Sequence, residues 1–266
     1  MASPLSASLL RTFSAQGNVT RKIAAQHLNW NSLERELMTK RHGFVLLTLL
    51  CATVLAPAKQ IGWTPLFDGH DLRNWKHVGA GSFTVEHGLL KSQGGMGLLY
   101  SIMGPVGDCE IKVVYKMEHE NDNSGVFIRI PEEPTEPWMP VNRGYEVQID
   151  NRPDLSKEDD YHVTGTLYSL TRPLAKPGKP GPEWNTMVIR IEGPRTQVFV
   201  NDVKVTDYTE GQPVPDKKAS YEPDRGPRPE KGWIGLQNHS DNDVVYFKSV
   251  ELLNLGIEQG YAHPNN

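Results

Sequence analysis

The sequence predicts an all-β protein, an antiparallel β-sandwich or jelly roll, and three observations carry that expectation. Short runs alternate apolar and polar side chains with a period of two, the pattern of strands with one buried face. After residue 60 no helical period lasts beyond a few turns and no helix-length crossover separates the strands, which disfavours a parallel α/β sheet. The 24 glycines and 20 prolines follow no collagen-like period and are interleaved with the apolar runs, as turns between strands would be.

The elements follow in chain order. Residues 1–37 mix Arg, Gln, Asn and Ser ahead of Met38 and are expected to be an artefactual or disordered extension. Residues 38–58 read as a secretory signal: a basic start at Lys40-Arg41, an apolar core from Phe44 to Leu55, and the small-residue cleavage pattern Ala56-Pro57-Ala58. That core is shorter than the roughly 20 residues a membrane span requires, so export to the periplasm or beyond is expected, with no stable membrane span. A single domain is expected over residues 60–255, with 256–266 as a tail. Within it Ile111, Val113, Tyr115 and Met117 share one side of a strand, and Val126, Ile128 and Ile130 oppose Gly125, Phe127 and Arg129. Tyr145, Val147 and Ile149 oppose Glu146, Gln148 and Asp150. Met187, Ile189 and Ile191 form the next stripe, Asn201-Asp202 signals a hairpin, and Trp233–Leu236 and Val244–Leu252 supply the last strands. The Pro-rich connections 131–140, 172–182 and 211–229 belong at the rims, where binding residues tend to collect.

A formal net charge of -4 argues against nucleic acid as a partner, since that normally requires a basic face. Cys51 lies in the segment expected to be removed, which leaves Cys109 alone, without a basic neighbour, as a small buried hydrophobe.

Seven motifs in order carry a resemblance to a known family: Leu66-Phe67-Asp68-Gly69 running to Asn74-Trp75, Asn123-Ser124-Gly125-Val126-Phe127-Ile128-Arg129, Gly144-Tyr145-Glu146-Val147-Gln148-Ile149-Asp150, Gly165-Thr166-Leu167-Tyr168, Glu183-Trp184-Asn185-Thr186, Val200-Asn201-Asp202-Val203, and Gly232-Trp233-Ile234-Gly235-Leu236-Gln237-Asn238-His239. Together they make residues 62–254 resemble the 3-keto-disaccharide hydrolase family, whose fold is the concanavalin-A-like lectin/glucanase jelly roll. The resemblance implies a carbohydrate substrate, hydrolysis of a glycosidic bond in a sugar already oxidised at C3, and a partner oxidoreductase that performs the oxidation. The fold also serves non-catalytic carbohydrate-binding modules.

The strand from Tyr145 to Asp150 is the informative one. Its second face presents Glu146, Gln148 and Asp150 in a row, spaced about 7 Å apart. A solvated sheet surface would look the same, but the neighbouring strand is expected to place Phe127 and Arg129 on its non-core face too. Arg, Glu, Gln and an aromatic plate suit a sugar, whose hydroxyls need bidentate partners and whose ring face stacks on aromatics. A 3-keto group acidifies the hydrogen on C2, so the C1 leaving group can be expelled by elimination and water then added. That route needs a base, an electrophile at the C3 oxygen and a proton donor. Glu146 is the candidate base, Arg129 the candidate enolate stabiliser and His239 the candidate acid; Gln148, Asp150, Phe127, Tyr168 and Trp138 are candidate substrate contacts. Plainer roles stay open: Arg129 can pair with Glu146 across strands, His239 can be an exposed loop residue, and Trp138 and Tyr168 can belong to the core. Ordinary glycoside hydrolysis is the alternative chemistry, with Glu146 and Asp150 as its carboxylates. It wants them about 5 to 5.5 Å apart, whereas alpha carbons four residues apart on a straight strand are about 13 Å apart. Asp122, Asn123, Asp241, Asn242 and Asp243 are hard oxygen ligands of the kind calcium uses, although such clusters are also turn formers, and no metal ligand is assigned.

Overall fold

The computed structural model describes residues 62–151 and 157–256. The extension 1–37, the export segment 38–58 and the tail after 256 lie outside the described residues. The strands are β1 (Thr64–Phe67), β2 (Trp75–Gly79), β3 (Ser82–Glu86), β4 (Leu89–Gln93), β5 (Gly97–Ser101), β6 (Cys109–Met117), β7 (Ser124–Ile130), β8 (Tyr145–Ile149), β9 (Asn185–Glu192), β10 (Arg195–Val200), β11 (Val203–Thr209), β12 (Trp233–Asn238) and β13 (Val245–Asn254). An eight-stranded sheet runs β11-β10-β9-β6-β13-β4-β3, with β1 also paired to β13, and a five-stranded sheet runs β2-β5-β12-β7-β8. The expected antiparallel sandwich is what the sequence folds into.

Alternation explains the packing. In β6 the side chains of Cys109, Ile111, Val113, Tyr115 and Met117 are buried while the residues between them are half-exposed. They meet Met187, Ile189 and Val198 of their own sheet and Val126, Ile128, Val147 and Leu236 of the other in one core. Full burial of one such side chain contributes about 1.5–3 kcal/mol, so this layer fixes the register of both sheets. The Asn201-Asp202 hairpin forms as expected, with left-handed φ of 49° and 66° at the two turn residues.

Two features were not expected. A short helix, α1 (Trp138–Arg143), closes the Pro-rich connection after β7, and a 3-10 turn spans Lys157–His162. Helix α1 packs Met139 and Val141 onto Leu98, Tyr100, Phe127 and Ile130, a second apolar cluster on the outer face of the five-stranded sheet. The segment Gly165–Tyr168 bonds to β8, with Gln148 N donating to Thr166 O (3.0 Å) and Tyr168 N to Glu146 O (2.9 Å). It covers an edge that would otherwise be open.

The alternation of β7 breaks at Arg129. Trp233 pairs with Ile130 but Gly235 pairs with Phe127, so Ile128 and Arg129 together oppose Ile234 in a β-bulge. Arg129 adopts φ 51°, in the left-handed region. Ile130 therefore shares the outer cluster with Phe127, rather than the inner core with Val126 and Ile128 as alternation predicts.

Candidate functional site

A cavity of about 370 Å³ opens on the outer face of the five-stranded sheet beside α1, and Glu146, Gln148, Asp150, Gln237, His239 and Trp138 are among its lining residues. Its floor is set by a glycine. Gln148 on β8 pairs with Gly125 on β7, and Leu236 pairs with Val126, so continuing the register brings Gln237 of β12 opposite Gly125. The bond from Ser124 Oγ to Gln237 O (2.8 Å) agrees with that placement. Because Gly125 has no side chain, the Glu146 side chain lies across its strand: a Cβ at Gly125 would stand 2.7 Å from Glu146 Cγ and Oε1.

Glu146 is only 6% exposed. Burial pushes its carboxyl up to about 8, opposed by the charge of His239 and a bond from Gln237, and reinforced by Asp150. His239 Nδ1 lies 2.7 Å from Asp243 Oδ2, which fixes the ring and leaves Nε2 as its other polar atom. Burial would lower the His239 pKa. The bond to Asp243, its charge, and the fields of Glu146 and Asp150 outweigh that, and the net shift is upward. A buried base that gains basicity thus sits in the field of an imidazole biased towards its cation.

Asn123 ties this arrangement together. Its backbone N donates to Asp243 Oδ1 (2.9 Å), its Oδ1 accepts from Gln148 Nε2 (2.9 Å), and its Nδ2 reaches Asp150 Oδ2 at 3.4 Å. Tyr168 stands beside Glu146, its ring 4.9 Å from that of His162; burial, then the Glu146 charge, raises its pKa and keeps the phenol protonated. Trp138, at the start of α1, is 47% exposed at the rim, as is Tyr221 at 59%.

The structure brings Glu146, His239, Gln148, Asp150, Tyr168 and Trp138 to one cavity and leaves two expected residues out. Arg129 is 2% exposed, and its Nη1 and Nη2 donate to the carbonyls of Pro229 (3.0 Å) and Gly193 (2.6 Å). The bulge turns it away from Glu146, so it neither pairs with that carboxylate nor faces the cavity. Phe127 is on the expected face but fully buried beneath α1, so it supports the wall instead of offering a stacking plate. Sequence reasoning missed Gly125, Asn123 and Gln237 as site residues, and Asp243 as the partner of His239. A glycine inside a strand was the available signal for the first, since it marks a close approach.

β8 pairs with β7 without any register shift, so no bulge draws Glu146 towards Asp150 for a two-carboxylate mechanism. Among the described residues no three His, Cys, Asp or Glu side chains are grouped to hold a metal ion. Asp243 is engaged by His239 and Asn123, and Asp122 accepts from the backbone N of His119. Cys109 is buried and its thiol is pushed up to about 12 by burial. A larger depression, about 470 Å³, lies on the outer face of the eight-stranded sheet, but its Arg190 is tied to Glu110 and Glu192. Among the described residues no helix is long and apolar enough to cross a membrane.

A jelly-roll sandwich with such a cavity on one sheet face is a lectin-like β fold, and its family match and the solved structures similar to it support a carbohydrate-active function. The chain belongs to the 3-keto-alpha-glucoside-1,2-lyase-like domain family, whose model matches residues 62–253. A candidate glycosyl hydrolase from Parabacteroides distasonis ATCC 8503 superposes with a TM-score of 0.60 at 25% identity, covering 73% of this chain and 94% of the other. A second from the same organism gives 0.56 at 25% identity, covering 73% and 100%. A Bacillus subtilis protein of unknown function with a galectin-like fold gives 0.50 at 13% identity over 73% and 95%, a likeness of fold alone. No curated protein matches the sequence.

Proposed function

We propose that this protein cleaves the glycosidic bond of 3-keto-glycosides by elimination, followed by addition of water. The observation that carries the proposal is the buried Glu146 carboxylate, raised to about 8 and facing a cavity shared with an Asp243-held His239. Glu146 takes the C2 proton, the C1–O bond breaks as the C1=C2 bond forms, and the aglycone leaves with a proton. Water then returns a hydroxyl to C1 and a proton to C2, so the net change is hydrolysis. A carboxylate basic enough to be half-ionised near pH 8 is matched to a carbon acid better than an ordinary glutamate would be.

With Arg129 directed elsewhere, His239, whose pKa is shifted upward by Asp243 and the nearby carboxylates despite its burial, is the group assigned to steady negative charge on the C3 oxygen. Tyr168, held protonated beside Glu146, is the donor for the leaving group. Trp138 and Tyr221 at the rim offer ring faces to the sugar or its aglycone. Export through residues 38–58 and supply of substrate by a sugar 3-oxidoreductase complete the proposal.

The experiment is to incubate the full chain with paired 3-keto and unmodified disaccharides in deuterated water, with and without chelator. Monosaccharide release from the keto substrates alone, with deuterium at C2, is expected. Release without deuterium would replace elimination by direct displacement. Binding without release, unchanged in Glu146→Gln, would make the domain a carbohydrate-binding module.

A further inference from the structure

Two carboxamides face the cavity from opposite sides of Gly125. Gln148 and Gln237 are 2% and 3% exposed. Each buries its Oε1 with no hydrogen-bond donor to it among the described residues. The orientation of Gln148 is set by its Nε2, which donates to Asn123 Oδ1 (2.9 Å), so its oxygen is the end left over. A buried acceptor without a donor is costly, and two of them lining one cavity are a demand for donors from a ligand. Neither contributes to the core: both lie on the outer face, in one row across three strands with Gly125 between them. Strand spacing puts their alpha carbons roughly 10 Å apart, a span that two side chains can narrow to the width of a pyranose ring.

We infer that Gln148 and Gln237 form a two-acceptor clamp that reads two free hydroxyl groups of the ligand, one on each side of the Glu146 carboxylate. The inference rests on the cavity being a sugar site. It narrows the substrate class to rings with unsubstituted hydroxyls at two fixed positions, and it assigns Gln237 a binding role. A hydroxyl donates where a keto, ether or acetyl oxygen cannot, so the clamp discriminates by chemistry and not by size. It also holds the ring so that one carbon-bound hydrogen lies over Gly125, where the Glu146 side chain crosses. The position oxidised to a ketone has lost its donor and is therefore not one the clamp reads.

The test measures equilibrium binding of unoxidised methyl glucopyranosides and their 2-, 3-, 4- and 6-deoxy analogues to the full chain by calorimetry. No turnover is involved, so a failed elimination mechanism and a failed clamp appear in different assays. Two of the deoxy analogues are expected to bind about ten- to a hundred-fold more weakly than the parent glycoside. In Gln237→Met one of those two penalties disappears, and in Gln148→Met the other does. In each Met variant the penalty read by the other glutamine persists, which distinguishes loss of one acceptor from general damage, and thermal melts verify folding. Equal affinity for all analogues, penalties that persist unchanged in both Met variants, or no glycoside binding at all would overturn the clamp.

Discussion

Adding a single methyl group at Gly125 displaces the candidate base without harming the fold. Gly125 sits in the middle of β7, outside the left-handed region, so alanine adopts its backbone conformation without strain. Elsewhere, Gly→Ala at a compatible position raises stability by about 0.4–1 kcal/mol through the unfolded chain. The new Cβ would lie 2.7 Å from Glu146 Cγ and Oε1, against the 3.4 Å at which ordinary contact begins. The carboxylate must therefore retreat by roughly 0.7 Å or rotate away, and it is a side chain rather than backbone that gives. A misplacement of about 1 Å can cost about a hundred-fold in rate. Gly125→Ala is thus expected to keep or slightly raise the melting temperature while losing about a hundred-fold in kcat on a 3-keto-glycoside. Turnover and thermal denaturation of the same preparation check both halves. Normal turnover would refute the placement of Glu146 over Gly125, and a collapsed melting temperature would refute the claim that the glycine serves the site and not the sheet.

Further outcomes follow from the same geometry. If Glu146 is the base, activity rises with pH through about 8, and a rate falling through that value would make it an acid instead. A carboxyl raised from 4.5 to about 8 binds more protons folded than unfolded between those values, so it makes stability fall as pH rises across that window. Glu146→Gln should therefore melt higher than the parent at pH 8 and converge with it near pH 4. Asp243→Asn removes the group that overcomes the burial of His239, so the imidazole pKa, read by NMR titration, should drop. Arg129→Met removes the guanidinium that bonds the carbonyls of Pro229 and Gly193 and should lower stability by about 1–3 kcal/mol in chemical denaturation, with kcat nearly unchanged. Cys109 should resist a thiol reagent at pH 8 until the domain is unfolded.

The sandwich was legible because strands of the eight-stranded sheet alternate a buried and a half-exposed face, and Ile111, Val113, Tyr115 and Met117 state that in their spacing alone. The strand leading through Glu146 and Gln148 to Asp150 was legible from the alternation of apolar and polar residue types, although both of its faces are buried. Arg129 was misplaced because a bulge has no hydrophobic signature: a polar residue at an odd position looks the same whether the strand continues or slips. Helix α1 hid in a Pro-rich connection too short for a helical period, although Pro140 sits in its first turn, where a missing N–H costs nothing. The service of Asp243 to His239 depends on a turn folding back over four residues, which composition does not encode. Phe127 was assigned to the correct face, but its burial follows from a helix that the pattern did not reveal.

The bulge in β7 works as a phase shifter. Upstream of it even-numbered residues point inward; beyond it Ile130 points outward and anchors α1, the helix that carries Trp138 to the rim. One extra residue thereby lets a single strand close the inner core with its first half and build the wall of the cavity with its second. Removing Arg129 would leave a continuous ladder of hydrogen bonds, yet it would drag the following connection into the opposite phase and unseat α1. In this architecture a one-residue deletion in a sheet is a change to the shape of the cavity, while insertions in the hairpin at Asn201-Asp202, in the other sheet, leave it untouched.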